Sequence, residues 1–285
     1  MYVIIQRLFV FYFTTVPPCT SICTYFFPQL QKKLQKKVSY PYQTMHNNDE
    51  KLPPSKPKAF LFDIDGTLTD SDPVHFECFQ ELILKVPTVK NPSKKPIDHD
   101  FFRKYIAGGS NPIIFNNLYP ELSKEEHEQM WTEKEKEYRR RAISSLQRLN
   151  GLTELMRRID AENIPKIAVT NAPRENAEMM LKALRLDDWF KEFLVLGSEC
   201  EHAKPHPQPY IDGLRLLGLD PSEDAKDCIV FEDSPSGATA AVAAGCYVVG
   251  IMTSQKAEHL EEVGVHMTVK DFEEFSTRFD DSIRK

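Results

Sequence analysis

The sequence has no surplus of positive charge: 36 lysines and arginines stand against 42 aspartates and glutamates, for a formal net charge of -6. The basic residues are scattered, so no basic face is expected to meet a phosphate backbone, and nucleic acid is excluded as the expected partner. Any anionic ligand must be met locally. The 6 cysteines (Cys19, Cys23, Cys78, Cys200, Cys228, Cys246) have neither metal-finger spacing nor the density of a disulfide framework. A reducing compartment is the simpler reading. No apolar run is long enough to cross a bilayer, because Pro17-Pro18 interrupts the one apolar N-terminal stretch. Internal repeats and low-complexity tracts are also missing beyond that stretch.

Acidic residues are absent before Asp49, and Arg7 is the single charge between Met1 and Phe27. This segment admits three readings: a secretory signal, an organelle transit peptide, or an upstream extension with Met45 as the working start of a cytoplasmic protein. The last is preferred, with plastid or mitochondrial targeting as the alternative if residues 1–45 act as a transit segment. Lys51 to Lys58 (KLPPSKPK) is proline-rich and charged, which suits a linker.

With 41% of its 285 residues hydrophobic and 27% charged, the chain can bury a sizeable core. Short apolar runs at Ala59 to Phe62, Ile167 to Val169, Phe193 to Leu196, Cys228 to Phe231 and Tyr247 to Ile251 alternate with helical patterns at Leu152 to Ala161, Pro173 to Leu184, Pro209 to Leu217 and Ser236 to Ala244. Continuous apolar strands alternating with helices predict an α/β fold with a doubly wound parallel sheet covered on both faces. Phe76 to Arg148 breaks the alternation with helical segments only, among them Ser123 to Leu149, where Ser123 and Glu126 are placed as a capping box. The expected organisation is residues 1–57 as extension and linker, 58–75 with 151–285 as the core, and 76–150 as an inserted all-helical cap domain. The charge run Glu133 to Arg141 reads as a solvated helix face.

Asp63-Ile64-Asp65-Gly66-Thr67 stands at the end of the first strand, where ligands bind in such sheets. Two carboxylates this close suit a hard cation and nucleophilic attack coupled to proton transfer. Turns rich in Asp and Gly are common, but D-x-D-G-T arises by chance on the order of a few times in a thousand chains of this length.

At this point the sequence resembles the haloacid dehalogenase superfamily, whose first motif is D-x-D-x-[TV]. Val169-Thr170-Asn171, Lys204-Pro205-His206-Pro207 and Phe231-Glu232-Asp233-Ser234 follow in the order of its three later motifs. The resemblance implies a Rossmann-like core and a magnesium-dependent phosphatase. Asp63 would be the nucleophile and Asp65 the general acid and base. Thr170 and the Asn171 backbone N–H would hold phosphate oxygens, with Lys204 bridging phosphate and nucleophile. Mg2+ would be held by Asp63, the Asp65 carbonyl and Asp233, with Glu232 as a further ligand or an orienting group.

Asp70 to His75 leads into the insertion as in the subgroup that includes beta-phosphoglucomutase and small sugar-phosphate phosphatases, with His75 near the leaving group or the hinge. Ile106 to Asn111 matches the specificity loop of that subgroup's cap, so Gly108, Gly109, Ser110 and Asn111 are substrate candidates. Asn111 stands where the mutase has an arginine for a second phosphate, which argues for hydrolysis. The wider match looks most like plant phosphatases acting on sugar phosphates. The expected substrate is a sugar phosphate, with glycerol 3-phosphate or flavin mononucleotide as alternatives and a mutase or a non-catalytic phosphate-binding domain less favoured. A monomer with no membrane partner is expected.

Overall fold

The computed structural model describes residues 52–284. The proposed targeting segment and start at Met45 lie outside them. The six parallel strands are β1 (Ala59–Phe62), β2 (Lys166–Thr170), β3 (Leu194–Leu196), β4 (Cys228–Glu232), β5 (Tyr247–Ile251) and β6 (Met267–Val269), in the order β3-β2-β1-β4-β5-β6. Five coincide with the apolar runs. The sixth is only three residues long, too short for its composition to be distinctive, and it pairs with β5 through Val249, Gly250 and Ile251.

Alternation along each strand divides the core between two faces. Phe60 and Phe62 of β1 join Phe231, Leu155, Met180 and Phe272 on one side, while Ala59 and Leu61 join Val230, Tyr210, Leu214 and Ala238 on the other. Strand order reverses at β1 and β4, which lie side by side with Phe62 opposite Phe231. The crevice at their carboxyl ends is the place such a sheet offers a ligand.

Between β1 and β2 the chain forms helices Asp72–Lys85, His99–Tyr105, Asn111–Leu118 and Lys124–Ala142. They enclose a separate apolar cluster that includes Phe79, Phe102, Ile114, Phe115 and Tyr119. The capping box forms: Ser123 Oγ accepts from the Glu126 N–H at 3.2 Å and Glu126 Oε2 accepts from the Ser123 N–H at 2.8 Å. This helix ends at Ala142, seven residues before its sequence pattern does. The chain must turn back to the sheet, and the Leu149 N–H donates to the Leu68 carbonyl at 2.9 Å.

The charge run of that helix corrects the expectation of a solvated face. Lys134, Glu135 and Tyr138 are buried, Glu137 is half-buried, and Glu133, Lys136 and Arg140 are exposed. At 3.6 residues per turn, positions 134, 135 and 138 share one face, and that face looks inward.

Candidate active site

Asp63 is the first residue past β1, and its N–H donates to the Phe231 carbonyl at 3.0 Å, which ties the motif to the end of β4. The chain then turns at Gly66, whose φ is +73° and where a Cβ would lie 2.0 Å from Asp233 Oδ2. Only glycine allows both the left-handed backbone and the close approach of the acidic loop.

Lys204 reaches this point from the loop after β3. Its ammonium donates to Asp63 Oδ1 at 2.7 Å, Glu232 Oε1 at 2.6 Å and the Val169 carbonyl at 2.7 Å, so all three of its hydrogens are committed. Burial by itself lowers the Lys204 pKa, but the charges of Asp63 and Glu232 outweigh it and hold the group protonated. Its backbone is clamped by the Asn171 side chain, which accepts from the Lys204 N–H at 3.2 Å and donates to the Lys204 carbonyl at 3.1 Å. Tyr210, which the sequence reasoning missed, donates its hydroxyl to Glu232 Oε1 at 2.6 Å. Glu232 is fully buried and its Oε2 faces the Ser234 hydroxyl at 3.2 Å. Its geometry is that of an orienting group for Lys204.

Asp63, Glu232 and Asp233 bring carboxylate oxygens within 4.8 Å of one another. Burial lifts the Asp63 carboxyl well above the ordinary range, with Lys204 pulling it down and Glu232 pushing it up. Burial, then Asp63 and Glu232, lift Asp233 in the same direction. Three buried carboxylates set against one ammonium leave a local excess of negative charge. Hard oxygen donors with such an excess fit a divalent cation of the calcium or magnesium type.

Asp65 points into the cavity above. Its Oδ1 collects the Ser71 hydroxyl at 2.8 Å, His75 Nε2 at 3.2 Å and the Tyr138 hydroxyl at 3.4 Å. The His75 tautomer follows from its other nitrogen: Lys134 Nζ lies 3.2 Å from Nδ1. An ammonium only donates, so Nδ1 accepts and Nε2 carries the proton given to Asp65. His75 also stacks on Tyr138 with ring centroids 3.9 Å apart.

Thr170, at the end of β2, is buried and accepts from the Ala172 N–H at 3.0 Å, which leaves its own hydroxyl hydrogen available. Asp63, Asp65, His75, Thr170, Asn171, Lys204 and Asp233 line one cavity of about 440 Å³ together with Gly108, Gly109, Ser110 and Asn111. Gly108 has a φ of +70°, and a Cβ there would sit 2.7 Å from the Ser234 Cβ, so the helical segment's loop approaches the acidic loop too closely for a side chain. Asn111 heads the Asn111–Leu118 helix, and its Nδ2 donates to Glu135 Oε1 at 2.8 Å.

Lys134, Glu135, Tyr138 and Asn176 were not among the residues singled out from the sequence. The signal available was the inward spacing of 134, 135 and 138 on an otherwise charged helix. Among the described residues, no helix is long and apolar enough to cross a membrane.

Known proteins resemble this chain in sequence and in fold. A yeast (Saccharomyces cerevisiae) glycerol-1-phosphate phosphohydrolase 1 is 29% identical over 225 residues, covering 76% of this chain and 84% of the relative. A phosphorylated carbohydrates phosphatase of Thermotoga maritima is 29% identical over 219 residues, covering 75% and 94%. The crystal structure of an HAD hydrolase of family IA, variant 3, from Entamoeba histolytica superposes with a TM-score of 0.67 at 26% identity, covering 80% of this chain and 100% of that one. The family model for haloacid dehalogenase-like hydrolases matches residues 57–245, from the linker before β1 to the turn before β5. That span contains both carboxylates of the first motif, Thr170, Lys204 and the acidic pair at the end of β4, and on it the chain belongs to the haloacid dehalogenase-like hydrolases.

Proposed function

We propose that this chain is a magnesium-dependent phosphatase that hydrolyses small phosphate monoesters, sugar phosphates above all, through an aspartyl-phosphate intermediate. The observation that carries this reading is the Asp63 carboxylate, tied by Oδ1 to Lys204 at 2.7 Å and facing, with Asp65, a cavity of about 440 Å³. That volume lies within the range of small-molecule sites, roughly 300–1,000 Å³.

With Oδ1 held by Lys204, Oδ2 of Asp63 is the atom free to attack phosphorus. The bond to the leaving oxygen breaks as the Asp63–phosphorus bond forms, and Asp65 gives that oxygen its proton. Asp65 Oδ1 is occupied by Ser71, His75 and Tyr138, so Oδ2 is the atom that carries the proton. The same oxygen then takes a proton from the water that cleaves the aspartyl phosphate. The free hydroxyl hydrogen of Thr170 and the backbone N–H of Asn171 serve the phosphate oxygens. Lys204, with its hydrogens already committed, contributes chiefly charge. Asp63 and Asp233, with the Asp65 carbonyl, would hold magnesium, which would supply positive charge to offset the carboxylates and the phosphate.

Support for the substrate class comes from the relatives, named for glycerol 1-phosphate and for phosphorylated carbohydrates. Residues 76–150 act as a cap whose Gly108 to Asn111 loop and His75 meet the leaving group. The test is inorganic phosphate release by the full chain from hexose phosphates, glycerol phosphates and flavin mononucleotide, with magnesium and with a chelator. Magnesium-dependent release that disappears in Asp63→Asn is the expected result. A folded protein inactive on the whole panel overturns the reading.

A further inference from the structure

The part of the cavity away from Asp63 has a distinctive charge arrangement. Glu135 lines it and is almost wholly enclosed, its side chain 7% exposed. Its Oε1 accepts from Lys134 Nζ and from Asn111 Nδ2, both at 2.8 Å, and its Oε2 accepts from Asn176 Nδ2 at 2.6 Å. One carboxylate thereby joins the loop at Asn111, its own helix and the helix that follows β2. A carboxylate offers about four lone-pair positions, and three are in use here, so Glu135 retains room to accept a hydrogen bond from a ligand.

The cations that line the cavity are each engaged. Lys134 is enclosed by Glu135, by His75 Nδ1 at 3.2 Å and by the Phe79 ring at 4.5 Å. Lys204 is held by Asp63 and Glu232. Arg174, at the half-exposed rim, pairs with Glu178 and Glu199. The rest of the wall is apolar, with Phe102, Ile106, Ile114 and Trp131. A second anionic group on the substrate would lose its water here, face the Glu135 carboxylate and find no uncommitted cation. Hydroxyl groups meet the opposite situation: they donate to Glu135, and their C–H faces cover the apolar wall.

We propose that Glu135 is a specificity-determining residue that excludes substrates whose leaving group carries a second negative charge, so that the ester taken is one of a neutral polyol. This rests on the phosphatase reading and narrows it: esters bearing a carboxylate or a second phosphate are rejected, and Asn111 takes part by fixing Glu135, not by gripping the ligand.

The test uses matched esters that differ by the charge of one terminal group: glycerol 3-phosphate against 3-phosphoglycerate, and glucitol 6-phosphate against 6-phosphogluconate. For the full chain with magnesium, kcat/KM is expected to favour the neutral member of each pair by roughly ten- to hundredfold. In Glu135→Gln the preference narrows by about tenfold, mostly through a lower KM for the acid. Should that variant fail to fold with Lys134 left unpaired, Asn111→Lys keeps the Lys134–Glu135 pair, adds a cation beside it and is expected to narrow the preference in the same direction. Equal efficiency for both members in the wild type overturns the inference alone, as does an unchanged preference in the folded variants. Absence of phosphate release from all four esters overturns the phosphatase reading and this inference with it.

Discussion

Glu232→Gln tests the counter-ion arrangement at the base of the site. Glu232 has no exposed surface, and its Oε1 accepts from both Lys204 Nζ and the Tyr210 hydroxyl at 2.6 Å. Its Oε2 faces two further donors, the Ser234 N–H at 3.4 Å and the Ser234 hydroxyl at 3.2 Å. A glutamine has the same shape but one acceptor oxygen. With that oxygen towards Lys204, its NH2 meets the Ser234 N–H donor to donor; flipped, it meets an ammonium and a phenol. No orientation satisfies the site. Hydrogen bonds to charged groups contribute about 1.5–3 kcal/mol, and breaking a buried pair outright costs about 3–5 kcal/mol. Lys204 keeps Asp63 and the Val169 carbonyl, so the lower range applies, about 2–3 kcal/mol. Urea unfolding followed by circular dichroism is expected to show a midpoint lowered by roughly 1 M at unchanged slope. Phosphate release is expected to fall at least about tenfold, because Lys204 loses one of the two carboxylates that fix its position and charge beside Asp63. A variant with the wild-type midpoint and the wild-type rate would refute the assignment of Glu232 as the counter-ion that orients Lys204.

Asp65→Asn is expected to lower kcat by roughly a hundred- to ten-thousandfold on esters with poor leaving groups and by much less on para-nitrophenyl phosphate, whose leaving group needs no proton; equal losses on both would argue against Asp65 as the acid. Chelation should abolish phosphate release reversibly, with magnesium restoring it, and phosphatase activity that persists in excess chelator would remove the cation from the site. Burial alone would raise the Glu135 pKa, but the charge of Lys134 and the hydrogen bonds from Lys134 and Asn111 bring it down to about 2. A pKa below that of the unfolded chain, 4.5, means a contribution that is complete above about pH 4.5 and is lost as the pH falls towards 2. Its size is at most about 3 kcal/mol. The stability gap between wild type and Glu135→Gln should therefore shrink between pH 6 and pH 3, and a gap independent of pH over that range would contradict the depressed pKa.

Local patterns carry far in this protein because a parallel sheet buries its strands on both faces, which forces them to be continuous apolar runs visible in one dimension. Ala59 to Phe62 and Tyr247 to Ile251 coincide with strands to the residue, and the helix at Leu152–Ala161 coincides with its amphipathic period. The chemistry was legible for the same reason: Asp63, Thr170 and Glu232 follow or end such runs, and strand ends are where the fold presents ligand groups. The three-residue β6 is too short to stand out and depends on β5 for its place, whereas the Phe272–Ile283 helix does carry an apolar stripe, Phe272, Phe275 and Phe279, that the core buries.

The sequence by itself determined which residues are chemically able to act, because carboxylates, a lysine and a threonine at strand ends have their roles limited by their own functional groups. Tertiary structure alone decided how those groups are held. Lys134, Glu135 and Tyr138 belong to a helix whose composition is that of a surface, with five of its eight residues from Trp131 to Tyr138 charged in alternation. Whether such a helix turns its charges to water or to a cavity depends on what packs against its narrow buried stripe, here His75, Phe79 and Asn176 from positions 41 to 59 residues away. Likewise Tyr210 from a helix, Asn171 from the turn after β2 and Glu232 from the end of β4 converge on Lys204, and convergence over that chain distance is set by the sheet that brings the strand ends to one edge.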